Sequence, residues 1–172
     1  MTLNCDEFES VFINISASNQ PGTKIGCIYR PPNNNHDLFL EKFNFALSYL
    51  QINSNNCIIC GDFNYCLIKA SNGNIPDSDF YENANSYSLL PLIRKPTRIA
   101  SRNVQGSIAE SISVIDNILT NCLSNVQSGI LAVKISDHMP IFSLFKDFFH
   151  NKNEFKKYLS VDIMSKTLTI WL

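Results

Sequence analysis

The sequence predicts an α/β domain, on three observations. Short apolar runs of strand-like composition recur along the chain, bounded by the Gly, Pro and Asn residues that punctuate turns. Two longer stretches carry apolar residues at helical spacing instead. Hydrophobic residues fill 45% of the 172 positions and charged ones 17%, so the chain has material for one sizeable core and does not read as disordered.

The first run, Phe8 to Ile15, sets Phe8, Ser10, Phe12 and Asn14 against Glu9, Val11, Ile13 and Ile15, the period of two that a strand requires. Lys24 to Tyr29 is a second run, and Asn19-Gln20-Pro21-Gly22 between them has the composition of a hairpin turn. Pro31-Pro32 stops that strand, because proline offers no N–H to a ladder. Asp37 to Gln51 places Phe39, Phe43, Ala46, Leu47 and Leu50 on one helical face, which should lie on a sheet. Asn33 to Asn35 and Asn53 to Asn56 read as loops. Asn56 to Cys60 is a buried strand ending at Gly61, where the missing side chain allows a sharp turn into Asp62. Ser78 to Ser88 is a second helix, polar enough to be exposed on one side. Ser111 to Thr120, Ile130 to Ile135 and Pro140 to Phe145 complete the strands. The composition turns polar beyond Phe148, which divides the chain into a domain over residues 1–148 and a tail over 149–172. The tail reads as a linker, a short helix or strand, or sequence unrelated to the domain.

Chemistry-bearing residues sit where these runs end. In Gly61-Asp62-Phe63-Asn64, Asp62 offers a carboxylate to orient or deprotonate water, and Asn64 an amide to hold that water or a phosphate oxygen. A turn in which both side chains bond local backbone is the other reading. In Ser136-Asp137-His138, an extended backbone points the acid and the imidazole in different directions, so they must serve different partners. Asp137 suits a hard cation such as Mg²⁺. His138 suits a phosphate, with a separate carboxylate fixing its tautomer. Asp116 is the candidate for that carboxylate, because Ile112 to Leu119 reads as a strand with a charge at its centre, costly to bury unless paired. An exposed edge strand would remove the need. Tyr29 and Arg30 end their strand where a hydroxyl and a charge could reach a phosphate, although strand-end aromatics are commonly structural. His36 and His150 show no partner and read as surface residues.

The net charge of −1 lacks the basic excess usual in nucleic-acid binders, so phosphate contact falls to a local patch. Arg94, Lys95, Arg98 and Arg102 supply one, with a solvated basic loop as the alternative. Six cysteines lie scattered through apolar runs with no signal-peptide pattern ahead of them, as expected of reduced thiols. Cys57 and Cys60 have CxxC spacing, but inside a strand-like run, and read as buried strand residues rather than a zinc or redox site. No apolar run reaches about 18 residues, so no membrane span is expected.

Tyr29-Arg30-Pro31-Pro32, Gly61-Asp62-Phe63-Asn64, Pro96-Thr97-Arg98, Ser113-Val114-Ile115-Asp116 and Ser136-Asp137-His138 follow one another in this order. Together they resemble the endonuclease/exonuclease/phosphatase superfamily, most closely the endonuclease domain of LINE-type (non-LTR) retrotransposons, over roughly residues 8–146. The resemblance implies a four-layer α/β sandwich, two packed sheets flanked by helices, that cleaves phosphodiester bonds with Mg²⁺ or Mn²⁺. It implies DNA as substrate, nicked so that the freed 3′-hydroxyl primes a reverse transcriptase domain of the parent element. On matching positions, Asp62 would orient or activate water, Asn64 and Tyr29 would hold the phosphate, Asp116 would orient His138, and Asp137 would bind metal. Arg30, Arg94, Lys95, Thr97, Arg98 and Arg102 are the substrate-binding candidates, with Thr97 acting from behind the site.

Domains of this superfamily begin with a segment that supplies an Asn, the main metal-binding Glu and strands of one sheet. No such segment is found ahead of the Tyr29 hairpin, where Glu7 and Glu9 lie in or just before its first strand. The expectation is a sandwich lacking its N-terminal strands, with weakened metal affinity, impaired nicking and an uncovered sheet edge or face open to self-association. Two alternatives are a catalytically dead nucleic-acid-binding remnant and a phosphatase acting on a small or lipid phosphate. The expected location is intracellular, nucleus or cytoplasm.

Overall fold

In a computed structural model of the chain, residues 6–15, 22–51, 54–104, 107–133, 136–146 and 168–171 are described. The alternating run forms β1 (Glu9–Ile15), antiparallel to β2 (Gly22–Tyr29). The turn expected between them lies outside the described residues except for Gly22. The chain leaves the ladder at Pro31-Pro32 and crosses through α1 (His36–Gln51) to β3 (Ser54–Asp62), which runs parallel to β2. There follow α2 (Leu67–Ser71), α3 (Ile75–Ser86), β4 (Leu90–Pro91), β5 (Arg98–Val104), β6 (Ser107–Ser113), β7 (Asp116–Thr120), β8 (Val126–Ile130), β9 (Ile141–Phe145) and β10 (Leu168–Trp171).

The central sheet has the order β1-β2-β3-β7-β4, beside a three-stranded sheet β10-β9-β8 and a two-stranded ribbon β5-β6. The predicted apolar face of α1 packs on the sheet: Phe39, Phe43, Ala46 and Leu47 are fully buried with Phe80 and Ala84 of α3 and Phe8, Ile28 and Ile59 of the sheet. The opposite face joins Ile58, Cys60 and Ile118 to Ile141 and Phe145 of β9. The result is the expected α/β sandwich, helices on sheet on sheet; no helix follows Ser86 among the described residues. The β1–β2 half of that opposite face is open: Val11 and Ile13 are 55% and 48% exposed, and Cys27 is exposed beside them.

Several boundaries differ from the expectation for physical reasons. β3 begins inside the Asn-rich stretch and continues through Gly61 to Asp62, both still paired to β2. Gly61 is needed for close approach within the ladder rather than for a turn, since a Cβ there would lie 1.7 Å from the Ile28 carbonyl oxygen. The run expected over 111–120 is broken: Val114 and Ile115 are both buried, which strict alternation forbids, so Asp116 opens β7 rather than sitting mid-strand. The run at 130–135 is not a strand over 131–133; the strand lies earlier, as β8, and residues 134–135 are outside the described set. The β5–β6 ribbon was not expected before Ser111: its first strand carries Arg98 and Arg102 of the basic patch, and its polar, exposed sequence hides it from a hydrophobicity reading. In the expected tail, residues 168–171 pair with β9.

Candidate active site

Strand register builds the site. Glu9, Tyr29, Asp62 and Asp116 pair in succession across β1, β2, β3 and β7. Registered residues project from the same face, so Tyr29, Asp62 and Asp116 form one row at the end of the sheet. Tyr29 is 44% exposed there. The next residue, Phe63, alternates to the helical face and is fully buried, anchoring Asp62 from behind.

His138 reaches this row from another segment. Its Nδ1 lies 3.1 Å from both carboxylate oxygens of Asp116, whose side chain is 14% exposed. The pairing expected from the cost of a charge in an apolar run is therefore present. Thr97 explains how it is held: the Thr97 hydroxyl, fully buried, accepts hydrogen bonds from the N–H groups of Ile115 and Asp116, each at 3.2 Å. The Thr97 carbonyl accepts the Met139 N–H at 2.7 Å, and the Ile99 N–H donates to Asp137 O at 3.0 Å. Pro96-Thr97-Arg98 thus clamps the Asp116 strand on one side and the His138 segment on the other.

Asp62 is the unusual titrating group. Burial, then the nearby Asp116 charge, pushes its carboxyl up to about 6, against the opposing pull of the Asn64 N–H, His138 and Arg98. A carboxylate poised near neutrality suits a general base, since it is ionised at pH 7 yet basic enough to take a proton. Asn64 adopts a positive φ of 51°, its N–H donates to Asp62 Oδ1 at 3.0 Å, and its Nδ2 donates to the Arg30 carbonyl at 2.7 Å. The local turn read as an alternative to chemistry is thus present alongside the site geometry. One donor atom each from Asp62, Asp116 and His138 lies within 4.8 Å of the others, a grouping that could hold a metal ion.

Other predicted residues are placed elsewhere. The Asp137 carboxylate takes the Arg98 Nε–H at 2.7 Å on the surface, which lowers its pKa, and it does not join the three-residue cluster. Arg30 is 5% exposed, its guanidinium 4.2 Å from the Tyr65 ring centre and 5.2 Å from that of Phe39. That places its charge in the aromatic core rather than toward solvent, while its backbone N–H donates to the Asp62 carbonyl. Arg94, Lys95 and Arg102 are exposed. His36 has partners, contrary to the surface expectation: Tyr65 OH at 2.8 Å and Asp79 at 3.4 Å. His150 lies outside the described residues. Tyr65 was not singled out by sequence, and its one signal was an aromatic following Gly-Asp-Phe-Asn.

The sequence pattern of the Endonuclease-reverse transcriptase family matches residues 23–142, most of the chain. The chain belongs to that family, within the endonuclease/exonuclease/phosphatase superfamily. No curated protein matches it. It is similar to the solved endonuclease domain of TRAS1, a telomere-specific non-LTR retrotransposon, with a TM-score of 0.57 and 16% identity over 76% of this chain and 60% of that one. It is also similar to an endonuclease/exonuclease/phosphatase family protein from Leptotrichia buccalis C-1013-b, with a TM-score of 0.51 and 22% identity over 78% of this chain and 52% of that one. The chain therefore spans less than two thirds of either structure, and the likeness is one of fold.

Proposed function

We propose that this member of the Endonuclease-reverse transcriptase family hydrolyses phosphodiester bonds in DNA, producing nicks whose 3′-hydroxyl would prime a reverse transcriptase domain of the parent element. The observation that carries the reading is the convergence of Asp62, Asp116 and His138 within 4.8 Å. Asp62, at about 6, takes a proton from the attacking water. Asp116 holds His138 Nδ1, leaving Nε2 to face a phosphoryl oxygen, and Tyr29 in the same row offers its hydroxyl to that phosphate. Asn64, fixed on the Arg30 carbonyl, keeps the turn that presents Asp62.

The donor set fits a divalent cation, because the Asp116 charge helps raise the Asp62 carboxyl and a cation would relieve that repulsion. Mg²⁺ or Mn²⁺ would be held at this cluster chiefly by Asp116, leaving Asp62 as the base, and would supply charge neutralisation at the phosphate and acidification of water. Affinity should be weak: Asp116 is already engaged by His138, and Asp137 by Arg98. Nicking by this chain is accordingly expected to be slow. Arg94, Lys95 and Arg102, exposed, would meet the DNA backbone, and action on chromosomal DNA would place the protein in the nucleus. The same exposed cations favour binding without cleavage as the second reading.

Supercoiled-plasmid nicking by purified protein with Mg²⁺ or Mn²⁺ separates the two. Cleavage that EDTA stops, and that Asp62→Ala and His138→Ala each reduce by at least about a hundredfold, supports the nuclease. A folded protein that shows salt-sensitive DNA binding but no cleavage supports the second reading and overturns the first.

A further inference from the structure

One row behind Tyr29 and Asp62, on the same face of the sheet, two cysteines occupy registered positions on neighbouring parallel strands: Cys27 of β2 pairs with Cys60 of β3. The CxxC spacing does not describe this arrangement. Cys57 and Cys60 are three apart in a strand and so face opposite sides, Cys57 toward the aromatic core and Cys60 toward the second sheet. The partner of Cys60 lies thirty-three residues away in sequence, which is why no local motif reveals it. Cys27 is exposed because its neighbour across β1 is the uncovered Val11, whereas Cys60 is 4% exposed.

We propose that Cys27 and Cys60 form a redox-modifiable dithiol site, oxidised by peroxide to a disulfide that ties β2 to β3 directly behind the candidate active site. Adjacent strands lie about 4.8 Å apart, within the span a disulfide bridges but toward its short end. Such a bridge would be strained and easily reduced, as reversible disulfides are. Cys27 is the solvent-exposed member of the pair, whereas Cys60 is buried with its S–H donating to the Gly26 carbonyl at 3.3 Å.

That difference fixes the order of steps. The Cys27 thiolate attacks one oxygen of hydrogen peroxide, the O–O bond breaks, and hydroxide leaves, takes a proton and becomes water. Cys27 is then a sulfenic acid. The Cys60 sulfur attacks the Cys27 sulfur, the S–O bond breaks, and the hydroxide leaves with the Cys60 proton as a second water. The two thiols give up two electrons and peroxide accepts both. Oxidation of the more exposed thiol is thereby captured before it proceeds irreversibly.

The test is independent of any nuclease activity. The full chain is treated under native conditions with a slight excess of hydrogen peroxide and digested without reduction for peptide mass mapping. The expected result is a Cys27–Cys60 cross-linked peptide, two hydrogens lighter than the reduced pair and lost on treatment with dithiothreitol. In Cys60→Ser, Cys27 should stop at a sulfenic acid trapped by dimedone, and in Cys27→Ser, Cys60 should stay reduced. Wild-type protein in which Cys27 and Cys60 remain reduced while other thiols oxidise, or in which either pairs elsewhere, overturns the proposal without needing a variant to fold.

Discussion

On the helical face of the central sheet, Phe39, Phe43, Phe63 and Phe80 are fully buried, with ring centres 5.1–6.5 Å apart in the contacts they make. On the opposite face, Val11 and Ile13 of β1 stay 55% and 48% exposed, while among the described residues β8 and β9 cover the β3–β7 half together with Ile25 of β2. Asp62 and Phe63 stand at the boundary, one projecting to each side. The candidate site takes its rigidity from the closed face and its access from the open one. A base held at about 6 needs both, since burial raises it and solvent or substrate must still reach it.

The largest expected effect breaks the closed face. Phe80→Ala removes the ring that touches Phe39, Phe43, Phe63, Tyr65 and Tyr81, and should cost about 3–5 kcal/mol in urea unfolding at constant slope. Next comes the clamp between the faces. Thr97→Val keeps the shape but strips the acceptor from two N–H groups, and should cost about 1–3 kcal/mol while slowing nicking about ten- to a hundredfold.

Asp62→Asn should act in the opposite direction on stability. The folded carboxyl sits at about 6 against a usual 3.8, so between those values the folded state binds more protons than the unfolded one, and stability falls as pH rises. That penalty is complete above about pH 6, so the variant should be more stable there by about 1 kcal/mol, discounted for partial exposure, with the difference gone below about pH 4. Thermal melts across pH would show it. The smallest effect belongs to the open face. Val11→Thr with Ile13→Thr, both β-branched and mostly exposed, should change stability by no more than about 0.5 kcal/mol. A larger loss on denaturation would show that this face is covered in solution.

The closed face was legible in the sequence because its signals are periodic: the apolar positions of α1 lie on the sheet as expected, and β1 alternates, with Phe8 and Phe12 buried and Val11 and Ile13 exposed. Asp116 with His138 was legible because an isolated charge in an apolar run demands a partner. The β5–β6 ribbon was not, because every position from Ser107 to Ile112 is exposed and leaves no pattern. Nor was Arg30, whose burial rests on stacking against Phe39 and Tyr65 from distant segments. The Arg98 contact of Asp137 depends on the same long-range assembly, so sequence alone set Asp137 toward metal and not toward that arginine.

The most direct measurement is the pH dependence of metal-supported plasmid nicking by the intact chain. The rate is expected to climb with pH over a limb at or below about 6 and then level, because a bound cation favours the Asp62 carboxylate, with that limb lost in Asp62→Ala. A rate with no Asp62-dependent limb between about pH 4 and pH 7, or no nicking at any pH by demonstrably folded protein, would contradict this.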